Sequence, residues 1–477
     1  MQYDRHRRID ERVARRPRMR EVTPIRIKTG GLRHPSKLFT SPFILLYSFV
    51  TLILIGGILL SLPFANTEDG FTPMVVAFFT ATSAVTVTGL TLVDTNTYWS
   101  GFGQAVILFL IFVGGLGFMT VATFLLIIIG QRITLPERMI MRDTMNMNRL
   151  GGLVKLTRNV VLLSIVIYII GIIFLYWRFI AYFPAPTALW QATFHTISGF
   201  NNAGFTILPN SHNLSFIAND IPALGFLLVL IVLGSIGWSV LVDIYYRHSF
   251  SRFTLDTKLV LTTTIILSIL GTIVMLAAEF DNPSTFDDTT LGHKVFQSIF
   301  HSISGRTAGF STIDFGQASD LTTLLFSGLM FIGGTVSSTA GGIKVATFAV
   351  IIAVVLSSVR GRSRTEAFGR EIPSIQVGRA ITIVVLGVAV VFLLSLILTL
   401  TEPDLSFLKI LFETVSAFAT NGLSVGVSEK LSSTGATLFI FAMFIGRLGP
   451  LALVLALTPS EERGELYHFA KERVKIG

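Results

Sequence analysis

Cysteine is absent from this chain of 477 residues, which excludes a disulfide framework, a thiolate metal site and a cysteine nucleophile. Charge is scarce: 14% of residues are Asp, Glu, Lys or Arg, against about a quarter in a soluble domain. With 51% hydrophobic residues and a mean hydropathy of +0.71, the composition is that of an integral membrane protein. No GxxxxGK[ST] string occurs, so the glycine loop that cradles nucleotide phosphates is missing. No set of nucleophile, base and orienting residue stands out either, and enzymatic chemistry is not expected.

The charge that remains is unevenly spread. The net charge is +9, and basic residues crowd the first forty positions, from Arg5 to Lys37, ahead of any apolar run. Asp4, Asp10, Glu11 and Glu21 argue against a transit peptide. The first apolar run, Phe43 to Leu62, is too long for a signal-peptide core. A positive-inside membrane flank fits this segment better than a nucleic-acid site.

One short pattern occurs four times: FFTATSAVTVTGLT at 78–91, TFHTISGFNNAGFT at 193–206, IFHSISGRTAGFST at 299–312 and LFETVSAFATNGLS at 411–424. Phe79, Phe194, Phe300 and Phe412 coincide, as do Ser83, Ser198, Ser304 and Ser416, and the motif closes on Gly89, Gly204, Gly309 and Gly422. The third copy has one residue fewer between its serine and its glycine. So long an interval suits a duplicated membrane module rather than a solenoid repeat.

Runs of about 20 apolar residues place first helices near 43–62, 159–180, 258–278 and 379–400, and second helices near 102–130, 222–246, 321–359 and 435–457. Eight spans result. Between each pair lies a shorter apolar segment, near 73–84, 188–199, 292–304 and 406–417. A dozen helical residues reach only about 18 Å, too little for a hydrocarbon core of about 30 Å, so these segments go halfway and return. Pro73 and Pro186 near the starts of the first two suit a helix N-terminus. The predicted fold is an all-α membrane protein of four fused helix, pore-helix, helix modules around a central pore. Its parts are a basic tail (1–42), module 1 (43–130), module 2 with its preceding loop (131–246), module 3 with a broken helix (247–359), module 4 with its preceding loop (360–457) and a tail (458–477). Basic loops follow the second helices, for example at Arg132, Arg247 and Arg360, and acids such as Asp69, Asp281 and Glu402 mark the other side. Both termini are therefore expected in the cytoplasm.

Non-helical backbone at membrane depth is tolerated where it is buried in protein or lines a water-filled cavity. Four such segments meeting on one axis can replace an ion's hydration shell with carbonyl oxygens, and the partial negative charge at the preceding helix C-termini favours a cation. Glycine lets the strands approach and take positive φ. The candidate filter is Val87, Thr88 and Gly89; Asn202, Ala203 and Gly204; Thr307, Ala308 and Gly309; and Thr420, Asn421 and Gly422. Leu90, Phe205, Phe310 and Leu423 would pack outward. The competing reading is that the glycines only permit close helix packing.

The sixth span reads FIGGTVSSTAGGIKV from Phe331 to Val345. Each interior glycine costs a helix about 1 kcal/mol relative to alanine, so a loop is expected, with Gly333, Gly334, Thr335, Ser337, Ser338, Thr339, Gly341, Gly342 and Lys344 as gate residues. Arg447, in FIGRLGPL, is an ionisable residue at bilayer depth and thus functional by default. It is expected to hold the loop beneath the filter. His195 and His301 share one position of the short helices with Thr80 and Glu413. Local hydrogen bonding is a better account of the two histidines than a metal site, and Glu413 is expected to satisfy backbone amides. Arg306 is expected to pair with an acid.

These motifs resemble the Ktr, Trk and HKT superfamily of potassium transporters, over about 43–477, and most closely its Ktr-type membrane subunit. The resemblance implies potassium as the ion held by the filter carbonyls, since all four filter positions are glycine. It implies a gating loop in the third module, matched here by the GGIK string ending at Lys344, with an arginine beside it matched by Arg447. It also implies a homodimer resting on a cytosolic nucleotide-binding ring of the KtrA kind, so that ATP or ADP binds the partner rather than this chain, and no prosthetic group. The C-terminal ELYHFAKERVKIG and the basic loops are the expected docking surface. A secondary cation transporter is the alternative, since it too uses broken helices, but it would be expected to show inverted halves and a buried coupling acid.

Overall fold

The structure is a computed structural model that describes residues 41–117, 153–209, 213–286, 290–336 and 338–449. Nearly all of the basic tail, the end of the first second-helix run with the loop after it, Asp287, Asp288, Ser337, and everything from 450 onward lie outside the described residues.

The chain runs four times through a first helix, a short helix and a second helix. The first helices are α1 (Ser41–Ser61), α5 (Leu153–Phe179), α9 (Leu255–Glu279) and α13 (Ser374–Thr401). The short ones are α2 (Met74–Thr86), α6 (Ala185–Phe200), α10 (Leu291–Thr307) and α14 (Phe407–Ala419). A single turn, α3 (Thr95–Tyr98), precedes the second helix α4 (Gly101–Leu116), and its counterparts are α7 (Ile221–Ile236) continued by α8 (Trp238–Arg247), α11 (Asp320–Phe331) with α12 (Val345–Val359), and α15 (Ser433–Leu448). Among the described residues three helices are long and apolar enough to cross a membrane, within α5, α9 and α13, and a fourth if α7 and α8 count as one span. Strand structure among these residues is confined to a hairpin pairing Glu366–Ala367 with Arg370–Glu371, otherwise the fold is helical as expected.

Each second helix begins with a side-chain cap. Ser100, Asp220, Ser319 and Ser432 accept from the amides of Gly103, Ala223, Thr322 and Gly435, satisfying donors that have no intrahelical partner. The same residues tie that end to the end of the first helix. Ser319 donates its amide and hydroxyl to Glu279 at 3.0 and 2.7 Å, and Ser432 does so to Glu402 at 3.2 and 2.5 Å. In the second copy the charges are exchanged between partners, with Arg178 bonded to Asp220 at 3.1 Å. In the first, Ser100 donates to the Phe64 carbonyl at 2.7 Å.

The short and second helices alternate in a closed ring: α2 packs on α4, α4 on α6, α6 on α7, α7 on α10, α10 on α11, α11 on α14, α14 on α15, and α15 again on α2. The first helices lie behind their own short helices. Close approach inside the ring depends on a glycine in three second helices. A Cβ on Gly114, Gly234 or Gly446 would fall within 3.0 Å of the carbonyl oxygen of Val85, Phe200 or Phe418.

The expected continuous span over 222–246 is instead bent by 94° between α7 and α8. The cause is Gly237, at φ +79° and ψ 151°, a conformation essentially restricted to glycine. Gly117 and Gly449 end α4 and α15 with similar angles.

Forcing a methyl group into a packed contact costs about 1–3 kcal/mol. Gly114→Ala, Gly234→Ala and Gly446→Ala are therefore expected to lower the thermal unfolding midpoint of the detergent-solubilised protein, whereas Gly328→Ala, with nothing within 4 Å of its added Cβ, leaves it unchanged or raised. Four equal midpoints would contradict this account of the packing.

Candidate cation-conducting site

Each short helix ends in a loop built on the same plan. The serine carbonyl accepts an amide from the residue before the closing glycine: Thr88 to Ser83 at 2.7 Å, Ala203 to Ser198 at 2.8 Å, Ala308 to Ser304 at 2.7 Å and Asn421 to Ser416 at 3.0 Å. The serine hydroxyl makes a second tie. In copies one and four it accepts the amide of Gly89 or Gly422, at 3.0 and 3.1 Å. In copies two and three it donates to the carbonyl of Phe205 or Phe310, at 2.7 and 2.6 Å.

Val87, Asn202 and Thr420 take the left-handed conformation, at φ +59°, +57° and +48°. For the β-branched Val87 and Thr420 this is strained, at about 1–3 kcal/mol each. The third copy, shorter by one residue, has no counterpart, and Thr307 stays inside α10. All four closing glycines have positive φ, between +71° and +100°.

The four loops meet in cyclic order. An added Cβ on Gly89 would come within 3.0 Å of the Ala203 carbonyl oxygen, one on Gly204 of that of Ala308, one on Gly309 of that of Asn421, and one on Gly422 of that of Thr88. Each glycine thus touches the carbonyl preceding the glycine of the next copy, and the fourth returns to the first. Residues before the glycines are buried, and the glycines alone are partly exposed. Leu90, Phe205, Phe310 and Leu423 are buried behind them. The twelve candidate filter residues are therefore brought together, with glycine facing an opening.

Behind the ring, one position of the short helix holds the returning strand. His195 donates from Nδ1 to the Gln191 carbonyl and accepts at Nε2 from the Thr206 hydroxyl, both at 2.8 Å. His301 donates to Gln297 at 2.8 Å and accepts the Thr312 amide at 3.0 Å. Both nitrogens of each ring are engaged, and no group of His, Asp and Glu suited to a metal ion occurs among the described residues. Glu413 accepts from the Ser424 hydroxyl at 2.7 Å, the Val425 amide at 2.9 Å, and the Ser428 amide and hydroxyl at 2.9 and 2.5 Å. Thr80 makes no such tie among the described residues, and its buried hydroxyl has no partner there. Arg306 does not pair with an acid among the described residues; Nε and Nη1 are buried without hydrogen bonds.

The expected break in the sixth run lies between α11 and α12, where residues 332–344 leave the helix. Ile332 and Ile343 form a parallel bridge across the base of the loop. Thr335 donates its amide to Ser235 at 3.2 Å and its hydroxyl to Ile236 at 2.8 Å, capping the end of α7. Gly341 and Gly342 lie against Thr420 and Ala419, close enough that a Cβ on Gly341 would collide with the Thr420 hydroxyl. Lys344 turns back to the Ala340 carbonyl at 2.6 Å. Arg447 donates to the Thr339 carbonyl and, at 2.7 Å, to the Gly114 carbonyl of the first copy. Of the candidate gate residues only Ser337 lies outside the described residues.

A second repeat, not recognised in the sequence, underlies this arrangement. FVGGLG at 112–117, VLGSIG at 232–237, FIGGTV at 331–336 and FIGRLG at 444–449 align without gaps. Their first glycines include the three that admit a short-helix carbonyl, and Arg447 stands where the other copies have Gly115, Ser235 and Gly334.

Membrane-length helices around a quartet of converging backbone loops define a membrane transport protein. The sequence profile of the TrkH family, described as cation transport protein, matches residues 39–465, and the chain belongs to that family. It is 39% identical over 430 residues to the Ktr system potassium uptake protein B of Bacillus subtilis, covering 90% of this chain and 95% of the relative. It is 36% identical over 433 residues to the potassium/sodium uptake protein NtpJ of Enterococcus hirae, with coverage of 90% and 95%. The crystal structure of the potassium transporter TrkH from Vibrio parahaemolyticus superposes with a TM-score of 0.69 at 18% identity, covering 90% of this chain and 86% of that one, which establishes a common fold. The family is one of transporters, not enzymes.

Glu413→Gln replaces two acceptor oxygens by one acceptor and one donor, in a pocket of donors. Each buried partner left unsatisfied costs about 1–3 kcal/mol. A lowered unfolding midpoint in thermal melts of the purified variant is expected, and an unaltered midpoint would count against Glu413 as the clamp of the fourth strand.

Proposed function

We propose that this chain is the ion-translocating subunit of a Ktr-type system, taking up potassium across the plasma membrane through a channel-like, gated pore. The observation that carries the reading is the cyclic contact of Gly89, Gly204, Gly309 and Gly422 with the preceding carbonyls of the next copy. Carbonyls gathered on one axis at the C-terminal ends of four short helices suit a dehydrated monovalent cation. Potassium is the substrate here, held by the backbone of residues 87–89, 202–204, 307–309 and 420–422. The names of the two relatives support potassium and leave room for sodium as a stimulating ion.

In this reading eight spans surround four re-entrant loops. The short helices enter from outside, and both termini face the cytoplasm, a reading supported by the basic loops. Potassium moves inward down its electrochemical gradient. The 332–344 loop, seated on Thr420 and Ala419 and held by Arg447, obstructs the path on the cytoplasmic side. Arg447 and Lys344 add positive charge there. A homodimer and a cytosolic ring of nucleotide-binding subunits complete the system, with ATP or ADP on the ring. A potassium and sodium symporter is disfavoured by the four parallel copies; such a carrier would be expected to show two inverted halves.

Growth of a potassium-uptake-deficient bacterium at low potassium, with and without a regulatory partner, tests the function directly. Gly→Ser at 89, 204, 309 or 422 is expected to reduce discrimination against sodium in liposome flux, and retention of selectivity by all four variants would refute the filter. Arg447→Ala removes two charge-assisted hydrogen bonds, each contributing about 1.5–3 kcal/mol. At least about a tenfold rise in flux without the partner is expected; unchanged flux at equal expression would remove Arg447 from the gate.

A further inference from the structure

We infer that Asn202 is a positioning residue that couples the ion-binding ring to the gate through a direct hydrogen bond to Thr339. This inference rests on the reading of the ring as a filter and the 332–344 loop as a gate. The Asn202 amide and the Thr339 hydroxyl are 2.7 Å apart. When Oδ1 of Asn202 accepts from Thr339 and, at 3.2 Å, from the Ser235 amide, Nδ2 donates to the Ile231 carbonyl at 3.2 Å and the buried side chain is satisfied. The backbone of Thr339 is fixed as well, its amide donating to Gly234 at 3.3 Å and its carbonyl accepting from Arg447. One residue of the gate thus carries both the arginine latch and a filter side chain.

Among the described residues no other copy provides this link. At the same left-handed position the first copy has Val87, without a polar side chain, and the fourth has Thr420, whose hydroxyl has no hydrogen-bond partner among those residues. The shorter third copy lacks the position. Asparagine is among the residues that tolerate this backbone conformation best, and its amide reaches into the space between α7 and the loop. Withdrawal of the loop takes Thr339 away and leaves Oδ1 of Asn202 with one donor fewer, so the second strand is less firmly held when the gate is open. Linkage is reciprocal: an ion that stabilises the ordered strand stabilises the seated loop.

The absence of cysteine makes this testable without a background. Val336, 42% exposed in the loop, becomes a reporter as Val336→Cys in the full-length protein in proteoliposomes. Its rate of modification by a charged thiol reagent is measured in potassium and with potassium replaced by N-methylglucamine. Replacement of potassium is expected to speed labelling several-fold. Asn202→Ala and Thr339→Val are each expected to speed it by up to about tenfold, the factor that 1.4 kcal/mol represents, and to abolish the dependence on potassium. The double variant is expected to match the faster single variant, because both single variants already lack the shared Asn202–Thr339 bond, and Thr339→Ser is expected to restore the original behaviour. Additive effects, or potassium dependence that persists in both single variants, overturn the coupling. Potassium uptake by the Val336→Cys protein is measured in parallel. Its loss in a correctly folded protein would indict the filter and gate reading itself, whereas uptake combined with additive effects sinks only the coupling.

Discussion

The glycine of each loop lies in contact with the carbonyl of the next loop, and the rest of the structure serves to make that contact possible four times in a closed circle. A single Cβ at any of the four positions would push one loop off its neighbour. Carbonyl dipoles crowded on an axis also repel one another, and burying such groups without a partner is costly. A ring of this kind is held by its surroundings. The serine ties at the end of each short helix, the left-handed residues before the glycines and the clamps behind them all act against collapse or splay of the loops.

The ring is fourfold in backbone and unequal in side chains. Behind it stand two histidines, a carboxylate that accepts four hydrogen bonds and a threonine with no partner among the described residues. The third loop is shorter by a residue, and the side chains at its end include Arg306, which pairs with no acid among the described residues. These differences leave the glycine contacts intact because they lie behind the backbone that makes the opening.

Much of the helical arrangement was legible in the sequence because hydrophobic runs and the repeated Phe, Ser and Gly positions mark it directly. The short helices could be placed from length alone, since a dozen apolar residues cannot span a bilayer. The broken sixth run was equally plain, because GGTVSSTAGG is poor in every property a helix needs. The bend at Gly237 was not legible: VLGSIGWSV is mostly apolar, and neither of its glycines, Gly234 and Gly237, reveals from sequence that the second takes positive φ. The role of the repeat around Gly114, Gly234 and Gly446 was not legible, because its glycines do not close a motif; each admits a carbonyl from the short helix of its own copy. The Asn202 and Thr339 pair could not have been found by pattern, since the two residues meet only through packing of separate copies. The acid expected beside Arg306 is not found among the described residues, and the position of a basic residue before a filter strand does not show what it faces.

Among the described residues, a stretch of loop separates α11 from α12, and that stretch reaches across to the ends of α6 and α14. Had four identical subunits assembled to make the same ring, every subunit would carry such a stretch, and four of them would compete for a space that holds one. Fusion into a single polypeptide removes this stoichiometric conflict. It allows one quarter alone to supply the loop, and it means that an inherited substitution at the axis arrives once rather than four times over.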